Sequence, residues 1–286
     1  MAANMKAVKL RIKSVKSTMQ ITKAMELVAA SKLRRAKERA ERSKPYFDIL
    51  HKALTEIANG NIDFSSPYAQ KAKSDVWCYV VIAGDRGFAG GYNNNLFKRL
   101  ESEAKDKAYC VLPIGKKAVE YCKRKGITLV TEAFSEAGGI SVADCFEMAR
   151  LLCREYKEGK YGHIAVCYTE FKSMMTQISD LKRLLPLTEL IDNTTQEEKK
   201  NYGQILYEPD SSQVFDVIVP EYLAGLIYGA MSESVASELA MRRMTMDAAT
   251  KNAGEMIEEL NLYYNRVRQA GITQEITEIV AGAEGN

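Results

Sequence analysis

Near the N-terminus, apolar or small residues return in steps of three and four: Val8, Ile12, Val15, Met19, Thr22, Met25, Ala29 and Leu33. That is the period of one helix face. Residues 2–58 contain no glycine and a single proline, Pro45. The pattern predicts one helix on the order of 80 Å long at about 1.5 Å per residue, kinked or broken at Pro45. The C-terminal stretch repeats the pattern. Leu223, Ile227, Ala230, Ser234, Ser237, Met241, Met244 and Ala248 keep the same steps. Ala249, Ala253, Met256, Leu260, Tyr263, Val267 and Ala270 continue them, one residue out of register. Pro220 stands where a helix favours its start. Gly225, Gly229 and Gly254 each weaken a helix by about 1 kcal/mol against alanine, which close packing must offset. Residues 1–59 and 208–286 are therefore expected to pair as an antiparallel coiled coil.

Between them, over residues 74–207, the period changes. Val76–Ala83, Tyr109–Pro113, Ile127–Thr131 and His163–Phe171 read as strands, and Asn94–Lys107, Lys116–Lys125 and Val142–Glu158 as helices. Strands alternating with helices predict a parallel sheet covered on its faces. Asp180–Asn201 reads as a connection to a last strand, Gln204–Glu208.

Charge sharpens the pairing. The net charge of +3 conceals 14 Lys/Arg against 5 Asp/Glu in residues 1–59, and 5 against 13 in residues 208–286. A basic head and an acidic tail either bind separate partners or neutralise each other. The expected class is soluble and cytoplasmic: no uncharged apolar run of about 18 residues is evident, and the N-terminus lacks a signal core. Six isolated cysteines without a CxxC pair read as buried thiols, and His51 and His163 are too few for a histidine metal site. No metal is expected.

The stretch GDRGFAGGYNNN, residues 84–95, raises a nucleotide site as a possibility because it follows an apolar strand. It lacks the lysine and hydroxyl of GxxxxGK[ST] and the spacing of GxGxxG. The glycines then serve a sharp strand-to-helix turn through positive φ values, with Asp85 and Arg86 ordering the turn or meeting a neighbouring protein. GxSxG is also absent, and no Ser or Cys pairs with a plausible base, so no catalytic or cofactor-binding residue is expected.

Three stretches together resemble the gamma subunit family of the F-type ATP synthase. QITKAMELVAASKLRRA (20–36) is similar to the family's N-terminal signature, NRVRQAGITQEITEIVAGA (265–283) to its closing motif, and DRGFAGGYN (85–93) to a DRGLCGG-type turn, departing at Phe88 and Ala89. The resemblance implies a long antiparallel coiled coil on a central Rossmann-like α/β domain with a mainly parallel sheet. It further implies a non-catalytic rotor shaft that couples transmembrane proton flow to ATP synthesis and hydrolysis. The implied partners are three alpha and three beta subunits, an epsilon subunit and the membrane c-ring. One copy stands in each complex at the cytoplasmic face of the bacterial cell membrane, bound peripherally and not inserted.

The same resemblance assigns contacts with the surrounding ring to Met25, Arg242, Arg268, Gln269, Thr273 and Glu275. Contacts with epsilon or the c-ring fall to Asp85, Arg86, Tyr207 and Glu208. Plain coil packing for Met25 and a solvated charge for Arg268 are the alternatives. Two rival functions remain: a nucleotide-binding enzyme on the central domain, and a nucleic-acid-binding coiled coil using its basic first helix. The acidic tail opposes the latter, because it would compete with a phosphate backbone.

Overall fold

The computed structural model describes residues 2–60, 65–70, 72, 74–188 and 207–284. Helix α1 (Ala2–Gly60) precedes β1 (Trp77–Ile82), α2 (Tyr92–Glu103), β2 (Tyr109–Ile114), α3 (Lys116–Lys125), α4 (Val142–Lys157), β3 (His163–Phe171), β4 (Gln177–Leu185) and α5 (Ser211–Glu284). By its contacts the chain divides into two compact units, residues 32–241 and residues 1–31 with 242–286. The first is the α/β unit and the second the helix-pair unit.

In the α/β unit the sheet order is β2-β1-β3-β4. Strand β1 runs parallel to β2 and β3, with Cys78 opposite Cys110 and Ile164. Both faces of β1 are covered, so its alternating side chains enter two cores. Cys78, Val80 and Ile82 pack with Met148 and Leu152 of α4 and with Ile57, Phe215, Leu223 and Ile227 of the long helices. Tyr79 and Val81 pack with Leu96, Leu100, Tyr121 and Cys122 of α2 and α3. Helix α4 is fixed in register by a capping box, in which Asp144 accepts the Ser141 amide at 2.6 Å and Ser141 accepts that of Asp144 at 3.3 Å.

The sheet is mixed, since β4 returns antiparallel to β3 from a turn at Ser173–Thr176. Asp180, expected in a connection, lies inside β4. QISDLKRLL keeps one face half wet, so Asp180, Lys182 and Arg183 hide its alternation. Ile127–Thr131 contributes only one bridge, Leu129 to Val111. Of Gln204–Glu208, the first three residues lie outside the described residues, and Tyr207 and Glu208 form no strand.

Neither proline delimits a helix. Pro45 lies within α1, and Pro220 within α5, which starts nine residues earlier at Ser211. Asp210 caps that start, accepting the Gln213 amide at 2.9 Å. Around Pro45, packing supplies what one missing N–H removes: the Phe47 ring fills the space a side chain at Gly225 would occupy, and His51 Nδ1 meets the Tyr222 hydroxyl at 2.8 Å. Leu33 packs on Ala236, Leu239 and Ala240. Partner numbers fall along α5 as they rise along α1, so the pair is antiparallel. One 18-residue stretch of α5 is long and apolar enough to cross a membrane, at mean hydropathy 1.4, although no uncharged run stood out in the sequence. Half of it is buried, and its apolar residues Phe215, Val219, Leu223 and Ile227 belong to the core beneath the sheet.

In the helix-pair unit, Val8, Ile12, Val15, Met19, Thr22, Met25 and Ala29 of α1 are all buried or half-buried. The hydroxyls of Thr22 and Thr250 meet at 2.8 Å. On α5 the inward stripe is Thr250, Ala253, Ile257, Leu260, Tyr264, Val267 and Gly271. The expected positions Met256, Tyr263 and Ala270 are exposed, each one residue off. Adjacent apolar pairs such as Met256–Ile257 and Tyr263–Tyr264 satisfy either register, so pattern alone could not choose between them.

Candidate functional site

The glycine loop is a braced turn. Asp85 Oδ1 accepts the amides of Lys116 at 3.2 Å and Ala137 at 2.9 Å, and Oδ2 accepts that of Gly138 at 2.9 Å. Its carboxylate thus occupies the N-terminus of α3, where a phosphate would bind. The Gly84 amide goes to Asn93 Oδ1 at 3.0 Å. Positive φ, expected of the glycines, occurs in this loop only at Gly90 (53°) and at Phe88 (62°), whose side chain is 71% exposed. Gly84 lies close to α5: a Cβ there would stand 2.6 Å from the Glu238 carboxylate, which would have to swing aside.

The six residues assigned to ring contacts all fall in the helix-pair unit. Met25 is half-buried on the α1 stripe, beside Glu26, which Lys23 holds at 2.8 Å. Arg268, Gln269, Thr273 and Glu275 are exposed on α5. Thr273 donates to the Gln269 carbonyl at 3.0 Å, so its hydroxyl is satisfied within the helix. Arg242 is half-buried. It stands 33 residues before Glu275, about 50 Å along one helix. The structure therefore spreads these residues over a long surface instead of gathering them in a pocket.

The other four separate. Asp85 and Arg86 leave the C-terminal end of β1. Tyr207 and Glu208 precede α5, whose Asp216, in the second turn, pairs at 2.9 Å with Lys157, the last residue of α4, next to the start of β3. They lie toward the opposite end of the parallel strands. Tyr207 is half-buried, and burial raises its hydroxyl above the usual tyrosine range.

All six cysteines are buried free thiols. Burial pushes Cys122 up to about 11, and Cys145, Cys153 and Cys167 to about 12. At neutral pH these four stay protonated, whereas the hydrogen bond from Cys78 lowers Cys110 below the usual thiol range. Among the described residues no group of three or more His, Cys, Asp or Glu could hold a metal.

Pattern reading missed the use of Ser234 and Ser237. It placed them on the helix seam as small residues, yet both are fully buried and bonded to the sheet. Ser234 Oγ accepts the Thr169 amide at 3.0 Å, and Ser237 Oγ donates to the Thr169 carbonyl at 3.1 Å. Polar residues at seam positions were the available signal.

The chain thus combines a mixed α/β domain, two long antiparallel helices and a glycine turn filled by its own Asp85. The family profile described as ATP synthase matches residues 4–285. The ATP synthase gamma chain of Ruminococcus albus is 43% identical over 282 residues, covering 97% of this chain and 96% of that one. The ATP synthase gamma chain, sodium ion specific, of Acetobacterium woodii is 38% identical over 99% of both chains. This chain belongs to the ATP synthase gamma chain family. The fold agrees with that of a chain in the mitochondrial ATP synthase rotor of Euglena gracilis (rotational state 1), at 17% identity and TM-score 0.66, covering 95% of this chain and all of that one. A chain of the Tetrahymena thermophila mitochondrial central stalk and c-ring gives 22% identity and TM-score 0.58, covering 80% of this chain and 99% of that one.

Proposed function

We propose that this chain is the rotating central shaft of an F-type ATP synthase, a non-catalytic subunit that couples transmembrane proton flow to ATP synthesis and hydrolysis. Its helix-pair unit turns inside a ring of three alpha and three beta subunits that hold the catalytic sites. Its α/β domain, residues 74–207, meets the epsilon subunit and the membrane c-ring. One copy works in each complex, peripherally, at the cytoplasmic face of the bacterial cell membrane.

The observation that carries this reading is the surface of the helix-pair unit. Large apolar side chains stand exposed there, among them Leu10, Leu27, Leu262, Ile276 and Ile279, all above 55%. Many large apolar side chains left in the open on one unit favour a surface that other chains cover. The charge is uneven as well: residues 1–31 carry six Lys/Arg against Glu26 alone, whereas 242–286 carry seven Asp/Glu against five Lys/Arg. A ring that senses the shaft's angle must meet different contacts at different angles, since equal contacts shift no equilibrium. Met25, Arg242, Arg268, Gln269, Thr273 and Glu275 supply such contacts in this reading. A guanidinium such as Arg268 pairs with carboxylates in a geometry-sensitive way.

The test is purification from membranes followed by reconstitution. Alpha, beta and epsilon subunits should accompany the chain, and the complex should pump ions on ATP addition, measured with protons and with sodium side by side. Arg268→Ala should lower coupled ATPase activity while the chain stays folded. Wild-type rates from that variant would remove the Arg268 contact, and a chain that purifies without the ring would remove the function.

A further inference from the structure

Strand β3 outlasts its neighbour. Strand β1 pairs with it only as far as Val81 opposite Cys167 and then departs into the glycine loop. Neighbouring residues of a strand direct their backbone groups to opposite sides. Thr169, two residues beyond Cys167, therefore aims its N–H and C=O where β1 would have continued. On that side Ser234 takes the amide and Ser237 the carbonyl, at 3.0 and 3.1 Å. Both hydroxyls are fully buried, so water does not compete. Glu233, one residue before, faces the amide of Phe171, the next residue of β3 whose backbone points this way. Lys37 of α1 lies 4.2 Å over the Phe171 ring. One face of α5 thus replaces a strand and completes the ladder.

We propose that Ser234 and Ser237 are the positioning residues that lock the rotation of α5 about its own axis to the sheet, so that torque passes between the α/β domain and the shaft without slip. The inference rests on the shaft function and adds how α5 is indexed to the sheet within the α/β unit. Apolar packing is non-directional, so a helix held by it alone turns over a sheet against a shallow gradient. Hydrogen bonds weaken steeply with angle. A pair of them, one accepted and one donated three residues apart on one helix face and aimed at the N–H and C=O of a single residue, Thr169, indexes the helix to one angle. Ser232 offers an internal contrast: it is also buried, but its hydroxyl returns to the Tyr228 carbonyl of its own helix at 2.9 Å.

The experiment uses the assembled complex, with the ring immobilised and a probe attached to the α/β domain, and reads the angular variance of the probe in the absence of ATP. Ser237→Ala and the double variant S234A/S237A should at least double the variance. Ser237→Thr, which keeps a hydroxyl, should restore it, and Ser232→Ala should leave it at the wild-type value. Ion pumping per ATP should fall in the double variant more than ATP hydrolysis does. If the double variant does not assemble, Ser237→Ala with its threonine partner decides alone. Equal variance in Ser237→Ala and wild type, or equal widening by Ser232→Ala, overturns the lock. A wild-type probe that never rotates on ATP addition overturns the shaft function itself, so the two failures are distinct.

Discussion

The α/β unit and the helix-pair unit are made from the same two helices put to opposite uses. In the α/β unit α5 carries Phe215, Val219, Leu223 and Ile227 with no exposed surface, because α1, α4 and the sheet surround it. In the helix-pair unit the same helix buries one narrow stripe and exposes Leu262 at 66% and Ile279 at 71%. Three layers leave little surface free, whereas a two-helix pair exposes most of each helix. The difference teaches where each unit's constraints lie. The first is held by what it buries, and the second is shaped by what it leaves for others to cover.

Paired truncations test that contrast most strongly. Leu112→Ala, in the fully buried centre of β2, should destabilise the isolated chain by about 2–5 kcal/mol in denaturant unfolding. Leu262→Ala should stay within about 0.5 kcal/mol in the same measurement and instead weaken assembly with the ring, read by co-purification. Equal losses from the two would mean that both units are held the same way.

Between those extremes lies the loop brace. Asp85→Ala leaves three partly exposed backbone amides to water and should cost about 0.5–1.5 kcal/mol. It should loosen the start of α3, which amide exchange at Lys116 and Gly138 would report. Unchanged exchange there would mean the turn holds without its carboxylate.

Glu233 gives a smaller and pH-dependent effect. Burial first, and then the charge of Glu170, hold its carboxyl above the ordinary glutamate range. Because the folded-state value is raised, the fold favours the protonated form. That stability is fully present below the unfolded-state value and is lost as pH rises through the folded one. Glu233→Gln, which cannot ionise, should therefore raise the unfolding midpoint at about pH 7 and leave it unchanged at about pH 3. A gain of the same size at both values would assign the effect to packing. The smallest expected signal is chemical: with their thiols raised to about 11–12, Cys122, Cys145, Cys153 and Cys167 should resist thiol reagents until the chain unfolds.

The sequence by itself determined the features that depend on short-range periodicity. The α1 stripe from Val8 to Leu33 repeats every three or four residues without ambiguity, and all the charged side chains between those positions except Glu26 face water. It also determined β1 and β3, whose apolar runs leave no alternative to burial, and the terminal motifs that carry the family resemblance. Tertiary structure decided what periodicity leaves degenerate. It chose Ile257 and Tyr264 over Met256 and Tyr263, since either residue of an apolar pair can face inward until a partner helix sets the angle. It made β4 a strand because β3 offered an open edge, although polar residues masked its alternation. It kept α1 continuous through Pro45, where Phe47 packed on Gly225 outweighs one lost hydrogen bond. And it turned Ser234 and Ser237 from small seam residues into hydrogen-bond partners of Thr169, 65 and 68 positions away. Contacts across such separations exist only once the chain has closed on itself, and local pattern holds no record of them.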